Sequence, residues 1–134
     1  MKQTAPGEPA ADAVTNGDAL ADAYLAAISS GDIEAILALY AADPTVEDPV
    51  GSDPRVGAAA VRAFYERAMR TPMKAARTGP VAVAAGALAF PFRLELKGGA
   101  MVIDVIDVFD LDDEGRISRM RAYWGPRNMR RGDA

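Results

Sequence analysis

The sequence predicts an α+β fold in which three N-terminal helices pack on one face of a mostly antiparallel, mixed β-sheet. Two observations support this class. Apolar residues recur at helical spacing in the first half of the chain, and the apolar period changes to two from about residue 73. A cone-shaped sheet that curves around a helix layer leaves a cavity lined from both sides, which suits an apolar ligand.

The first half of the chain carries three helical patterns. We expect the first helix over residues 18–30, with Asp18 as its N-cap. The segment Ser30-Gly31-Asp32 then ends this helix and caps the second, which we expect to include Tyr40 before Pro44 breaks it. The third helix is expected over residues 58–69. Each helix directs one tyrosine toward the interior, namely Tyr24, Tyr40 and Tyr65.

The second half of the chain alternates apolar and polar residues, as half-buried strands do. We expect strands over residues 73–84, with an interruption near Gly79-Pro80, and over 88–96, 101–110 and 117–124. Pro91 has no backbone N–H to donate, so it predicts an edge or a bulge in the strand that contains it.

The 134 residues suit a single domain, which we place at residues 17–126. Residues 1–16 are expected to form a flexible arm, and residues 127–134 a basic, solvated tail. The net charge of −4 and the absence of a long apolar run argue against nucleic acid or a membrane as a partner. Because the N-terminus does not resemble a signal peptide, we expect a cytoplasmic protein.

The composition also limits the chemistry. The chain has no cysteine and no histidine, which excludes thiolate nucleophiles, histidine-based triads and the usual transition-metal sites. No glycine-rich phosphate loop follows a strand. We therefore expect no metal and no cofactor, and any general base must be an Asp, Glu, Lys or Tyr.

The segment Thr45–Gly51 places a carboxylate in an extended, mostly apolar stretch. Pro49 disfavours the helical conformation for Asp48, the residue that precedes it. In an extended chain Val46 and Asp48 share one side, whereas Glu47 points to the other. Asp48 is then either a turn residue or a chemically useful base at the edge of the apolar interior.

A second acid lies within the strand expected over residues 101–110. Asp107 shares a face with Val105 and Phe109, whereas Asp104 lies on the opposite face. An unpaired carboxyl group in apolar surroundings tends to keep its proton and can then donate a hydrogen bond. Since a register shift of one residue would exchange the two faces, Asp104 is the alternative candidate. Either acid could instead pair with an arginine.

The apolar wall of the cavity is expected to include four large side chains of the sheet, although each could also be an ordinary core residue. They are Phe90, Phe92, Met120 and Trp124. Three tyrosine hydroxyl groups and two carboxyl groups directed at one such cavity would favour a catalytic site over a plain core.

Several segments resemble bacterial Δ5-3-ketosteroid isomerases of the nuclear transport factor 2-like, or SnoaL-like, superfamily. The resemblance covers about residues 18–126, and its most specific part is Val46-Glu47-Asp48-Pro49-Val50-Gly51 together with the matching tyrosines and Asp107. Further matching segments are Tyr24-Leu25, Gly31-Asp32-Ile33-Glu34, Phe64-Tyr65, Thr78-Gly79-Pro80, Pro91-Phe92-Arg93, Val105-Ile106-Asp107-Val108 and Ala122-Tyr123-Trp124.

The resemblance implies a cofactor-independent enzyme that acts on a small apolar steroid and forms a homodimer through its sheet faces. Asp48 would transfer a proton from C4 to C6 of a 3-oxo-Δ5-steroid. Tyr24 and Asp107 would form the oxyanion hole, and Tyr40 and Tyr65 would extend its hydrogen-bond network. Ketosteroid isomerases are themselves a known example of an Asp base beside a protonated Asp donor.

Two other interpretations remain open at the level of the sequence. The first is a different enzyme on the same fold, such as a polyketide cyclase or an epoxide hydrolase, because a fold does not determine a function. The second is a non-catalytic carrier of hydrophobic ligands or a dimerisation module, which would need the cavity but not the two acids.

Overall fold

The computed structural model describes residues 11–132, with side chains from residue 17 onward. This part of the chain contains three α-helices and eight strands, in agreement with the expected α+β class. The helices are α1 (Ala11–Ser30), α2 (Ile33–Leu37) and α3 (Ala58–Ala68). The strands are β1 (Tyr40–Glu47), β2 (Arg55–Val56), β3 (Met73–Arg77), β4 (Ala82–Ala84), β5 (Ala87–Leu96), β6 (Met101–Leu111), β7 (Ile117–Tyr123) and β8 (Met129–Arg131).

The strands form one curved sheet that does not close on itself, in the order β2-β1-β7-β6-β5-β3. Strand β4 also pairs with β5, and β8 pairs with β6. The β1–β7 pair is parallel and the other pairs are antiparallel, so the sheet is mixed as expected. Helix α1 lies against β3 and β4, and α3 lies against β1 and β2.

The core lies between the helices and the concave face of the sheet. Residues Val105, Asp107 and Phe109 of β6 point into it, as the alternation in the sequence predicts. Ile106 points outward and is 48% exposed. Because the burial alternates strictly through this segment, the register is the expected one and Asp107, rather than Asp104, is the interior acid.

Tyr40 is not on a helix, contrary to expectation. Helix α2 ends at Leu37, and Tyr40 is the first residue of β1, where it pairs in register with Ile117 of β7. The helical spacing of its neighbours is a local preference, and pairing with a long neighbouring strand overrides it. Pro44 is accommodated within β1 where the register with β7 shifts between Tyr40 and Thr45.

Pro91 also differs from expectation, since it lies in the middle of β5, which has neighbours on both sides. On one side it pairs with Ile106 of β6. On the other side β3 has ended at Arg77 and β4 has not yet begun, and the carbonyl of Pro91 accepts from the amide of Thr78. The missing N–H therefore faces an interruption in the neighbouring strand, where no ladder donor is needed.

Within the described residues, both segments that flank the expected domain contain secondary structure. Helix α1 already includes Ala11 and runs through Asp18, so residues 11–16 of the expected arm are helical, whereas residues 1–10 lie outside the described residues. Asp18 is therefore not an N-cap; its carboxylate lies 3.9 Å from Arg77. At the other end, the arginines of the tail are exposed as expected, but Arg130 and Arg131 also belong to β8, which pairs with β6.

Candidate active site

One apolar cavity of about 120 Å³ lies between α1, α3 and the concave face of the sheet. Three of its walls carry a polar group: Tyr24 from α1, Asp48 from the residue after β1, and Asp107 from β6. Fourteen residues line it, and the others are Ile28, Phe64, Tyr65, Ala68, Met69, Met73, Phe92, Leu94, Ile103, Val105 and Trp124. The structure thus brings together the three residues that the sequence nominates for catalysis.

Asp48 lines this cavity from the bend that follows β1. Strand β1 ends at Glu47, whose side chain points to the outer face and lies 3.7 Å from Arg119. The Oδ1 atom of Asp48 accepts a hydrogen bond from the indole Nε1 of Trp124, at 2.7 Å. Trp124 follows β7, so a bond between two distant segments fixes the orientation of this carboxylate.

The environment of Asp48 changes its acidity in two directions. Burial raises its pKa above the ordinary value, because the apolar surroundings disfavour the charged form. The hydrogen bond from Trp124 and the positive charge of Arg55 act against this rise. Arg55 is held nearby, with its guanidinium group 5.7 Å from the centre of the Phe64 ring, which also lines the cavity. A carboxylate with a moderately raised pKa is a stronger base than an exposed one and still ionises.

Asp107 is the one buried charged or polar residue of the described core, and it is 1% exposed. Its Oδ1 has no hydrogen-bond partner among the described residues. Burial raises the pKa of this carboxyl group well above its ordinary value, and the nearby Asp48 raises it further. Burial thus favours the protonated form of this carboxyl group, which could donate an O–H hydrogen bond at the cavity wall.

Asp104 has a different environment on the outer face of the same strand. It accepts hydrogen bonds from Arg130 and from Arg93, the latter at 3.3 Å. Although desolvation acts to raise the pKa of Asp104, the two arginines hold it below the ordinary value. Asp104 is an ionised surface carboxylate in a salt bridge, and it does not reach the cavity.

The three interior tyrosines form a hydrogen-bonded chain. The hydroxyl of Tyr65 lies 2.8 Å from that of Tyr24 and 2.5 Å from that of Tyr40. Burial raises the pKa of all three phenols well above the usual value, so each keeps its proton. Each hydroxyl has one proton to donate. If Tyr24 directs its proton into the cavity, Tyr65 must donate to Tyr24 and Tyr40 must donate to Tyr65.

The four apolar residues nominated as the cavity wall divide into two groups. Phe92 and Trp124 line the cavity. Phe90 and Met120 are instead 1% exposed and belong to the packed core, where Phe90 meets Phe109 edge to face at 5.2 Å and Met120 pairs with Phe109 across β6 and β7. Alternation gives the face of a strand correctly, but the cavity occupies only one end of that face.

The sequence analysis did not predict several residues of the cavity wall. Ile28 and Met69 lie one turn beyond Tyr24 and Tyr65 on their helices, and Leu94 and Ile103 are partners in the β5–β6 ladder. The helical spacing was available in the sequence. The ladder pairing was not, because it depends on the register between two strands.

Among residues 11–132, no group of three or more acidic side chains is arranged to hold a metal ion. In the same part of the chain, no helix combines the length and the apolar character needed to cross a membrane.

Comparison with known families agrees with this architecture. The family model described as a SnoaL-like domain matches residues 21–120, which include Tyr24, Asp48 and Asp107. The chain belongs to the SnoaL-like family. Its fold is that of the nuclear transport factor 2-like superfamily, as the sequence resemblance implied.

A steroid Delta-isomerase of Nocardioides simplex is 42% identical over 108 residues, which cover 79% of this chain and 87% of that enzyme. This relationship confirms the expected kinship with ketosteroid isomerases and the assignment to the isomerase class. The family also holds other reactions. The epoxide hydrolase LasB of Streptomyces lasalocidi is 32% identical over 114 residues, which cover 76% of this chain and 39% of that enzyme.

A solved structure shows the same architecture. The epoxide hydrolase/cyclase-like enzyme SalBIII, described as having a role in pyran ring formation in the polyether salinomycin, superimposes with a TM-score of 0.79. The match covers 87% of this chain and 96% of the other, at 26% sequence identity.

Proposed function

We propose that the protein is a steroid Δ-isomerase that converts 3-oxo-Δ5-steroids into 3-oxo-Δ4-steroids. The observation that carries the proposal is the composition of the cavity. One apolar space holds a carboxylate that can act as a base and two neutral donors, Tyr24 and Asp107. Abstraction of a proton next to a ketone requires this combination, because negative charge develops on the ketone oxygen.

In the proposed first step, the carboxylate of Asp48 removes a proton from C4 of the steroid. The C4–H electron pair moves into the ring system, and the C3 ketone becomes a dienolate oxygen. Since Oδ1 of Asp48 already accepts from Trp124, we assign the proton transfer to Oδ2. In the second step the protonated Asp48 returns the proton to C6. The Δ5 double bond then becomes the Δ4 double bond, so no atom is gained or lost and no redox partner is needed.

The oxyanion is stabilised by hydrogen bonds from Tyr24 and Asp107. Burial favours the protonated form of both groups, and both line an apolar cavity, where fixed donors are more effective than in solution. The chain from Tyr40 through Tyr65 supports Tyr24, because each hydroxyl that donates to the next polarises it. The unpartnered Oδ1 of Asp107 is accounted for if a substrate oxygen lies against this carboxyl group.

We further propose that the protein is a homodimer that associates through the outer face of the sheet. Ile106 and Tyr123 are paired across β6 and β7, and they are 48% and 43% exposed. Arginine–carboxylate pairs flank them, such as Arg93 with Asp104. An apolar centre with a polar rim is the usual anatomy of an interface. The proposed homodimer is tested by sedimentation equilibrium of the wild type and of Ile106→Arg, which places a charge in the proposed interface. A monomeric wild type would contradict the proposal.

A second candidate function is the opening of an epoxide, which the kinship with LasB favours. The same base could activate a hydroxyl group while Asp107 protonates the epoxide oxygen. The greater identity and coverage of the Nocardioides enzyme favour isomerisation. A non-catalytic carrier would need neither the acids nor the tyrosine chain.

A direct assay separates these functions. The purified protein is mixed with 5-androstene-3,17-dione, and the ultraviolet absorbance of the conjugated enone product is recorded. We expect absorbance to rise with the wild type and to rise much more slowly with Asp48→Asn at equal concentration. Failure of the wild type to convert the steroid, together with turnover of an epoxide, would replace the first proposal with the second.

A further inference from the structure

The cavity is smaller than the proposed substrate requires. It measures about 120 Å³, whereas pockets that hold ligands of drug size occupy roughly 300–1,000 Å³. A bound tetracyclic ligand must therefore extend beyond it, and the structure shows in which direction. This inference rests on the proposed function, because only a long, apolar substrate needs more space than the cavity offers.

A second space adjoins one end of the cavity. It is a surface groove of about 300 Å³ that shares three wall residues with the cavity, Ile28, Met69 and Met73. Ser29, Ser30 and Thr71 also line it, and the Ser29 hydroxyl is occupied by the backbone of Ala75, to whose carbonyl it donates at 3.2 Å and from whose amide it accepts at 2.9 Å. We refer to the space bordered by these six residues as the distal groove. Together, the cavity and the distal groove reach the size range of ligand pockets.

The wall residues follow one direction from the reacting groups to the distal groove. Along α1 the order is Tyr24, Ile28 and Ser30, which at 1.5 Å per residue places the groove roughly 6–9 Å beyond the oxyanion donor. Along the end of α3, Tyr65 is followed one turn later by Met69. With carbon–carbon bonds of about 1.5 Å, a fused four-ring skeleton places its far ring roughly 10 Å from its first-ring ketone. The groove therefore lies within the length of such a skeleton.

The partition between the two spaces consists of residues that can move. Met69 is the C-cap of α3, Met73 is the first residue of β3, and both are only partly buried. Methionine is unbranched and has three rotatable side-chain bonds, so it adapts its shape at low cost. The remaining shared residue, Ile28, is 6% exposed and belongs to the packed core. A change in the two methionine side chains is thus the smallest movement that joins the spaces.

We propose that Met69 and Met73 form a movable partition, and that the distal groove binds the end of the substrate remote from the reacting ketone. The chemistry of the groove specifies that end. Ser30 Oγ already donates to the carbonyl of Ala27 at 3.2 Å and can still accept a hydrogen bond. None of the described residues that line the groove carries a charge. The groove therefore suits a neutral polar group, a hydroxyl or a ketone, and disfavours a carboxylate.

The groove is tested with two substrates of different length. One is 5-androstene-3,17-dione, and the other is a bicyclic β,γ-unsaturated ketone that has only the rings nearest the reaction. Ser30→Trp fills the groove from an exposed position, and Ala26→Trp places the same side chain on an exposed part of α1 outside it. We expect Ser30→Trp to lower kcat/KM for the tetracyclic substrate at least about tenfold, the scale on which apolar pockets discriminate. The bicyclic substrate and the Ala26→Trp protein should be unaffected.

The partition is tested with Met73→Ile, which keeps the apolar character but introduces a side chain that is stiff at χ1. We expect kcat/KM to fall severalfold for the tetracyclic substrate only. Met129→Ile, at an exposed position of β8, is the matched control.

The possible results separate the inference from the function on which it rests. Unchanged tetracyclic turnover in Ser30→Trp would overturn the assignment of the distal groove, and so would equal losses on both substrates. Unchanged turnover in Met73→Ile would overturn the movable partition. If the wild type converts neither substrate, the proposed function itself is wrong.

Discussion

The proton held by Asp107 should be measurable through the stability of the protein. This carboxyl group is 1% exposed, its pKa is raised well above the ordinary value of 3.8, and its Oδ1 has no partner among the described residues. Between the unfolded and folded pKa values, the native state binds one proton that the unfolded chain has released. The free energy of unfolding should therefore fall as the pH rises through this window, by about 1.4 kcal/mol per pH unit.

Asp107→Asn removes this titration and keeps a donor of nearly the same size. We expect the free energy of unfolding of the variant to increase relative to that of the wild type as the pH rises above about 4. The variant should then be the more stable protein at pH 7. With a urea m value of about 1–3 kcal/mol/M for a small protein, the difference between the unfolding midpoints should change by roughly 0.5–1.4 M per pH unit. Asp48 titrates in both proteins, so its contribution largely cancels in the comparison.

The assay is urea unfolding at a fixed protein concentration, followed by circular dichroism at several pH values between 4 and 7. Asp104→Asn is the matched control, because Asp104 lies on the same strand and faces outward. The pKa of Asp104 is lowered, so its stabilising effect is present at neutral pH and is lost on acidification, which gives the opposite trend. A stability difference between wild type and Asp107→Asn that does not vary with pH would refute the argument that Asp107 is neutral.

The other predictions concern turnover. Asp107→Ala removes the donor and should lose more activity than Asp107→Asn, whereas equal losses would contradict a donor role. Asp48→Asn should lower kcat about 10²–10⁴-fold while steroid affinity, measured by equilibrium titration, persists; nearly normal turnover would exclude Asp48 as the base. Tyr24→Phe should lower kcat about 10²–10³-fold, and Tyr40→Phe, at the far end of the chain of hydroxyls, should cost less; equal costs would contradict the proposed order. Trp124→Phe removes a hydrogen bond that lowers the pKa of Asp48, so the acidic limb of the kcat/KM profile should move to higher pH; an unchanged limb would show that the indole does not act on the base.

The comparison of Asp107 with Asp104 shows what the sequence can decide. Alternation with a period of two assigns the acids to opposite faces, and the apolar neighbours Val105 and Phe109 favour Asp107 over Asp104 as the interior acid. The structure confirms both inferences. Local patterns succeed here because the side-chain direction along a strand is a property of the backbone and needs no knowledge of the partner strands.

The position of Tyr40 shows the opposite case. Its neighbours have helical spacing, yet it begins β1 because the pairing with Ile117 of β7 outweighs that preference. The sequence nevertheless predicted correctly that the Tyr40 side chain points inward, because the ring is buried whether the residue is in a helix or in a strand. The helical conformation of residues 11–16 was also missed, because these residues have weak periodicity.

The sequence by itself determined the fold class and the order of most elements, and it limited a general base to Asp, Glu, Lys or Tyr. These follow from short-range periodicity, from proline geometry and from the absence of histidine and cysteine. Only the tertiary structure decided which apolar residues line the cavity. Phe90 and Phe92 share a strand face, but only Phe92 reaches the cavity, because the distance between helix and sheet varies along that face. The bond between Trp124 and Asp48, separated by 76 positions, likewise exists only because β1 and β7 lie side by side.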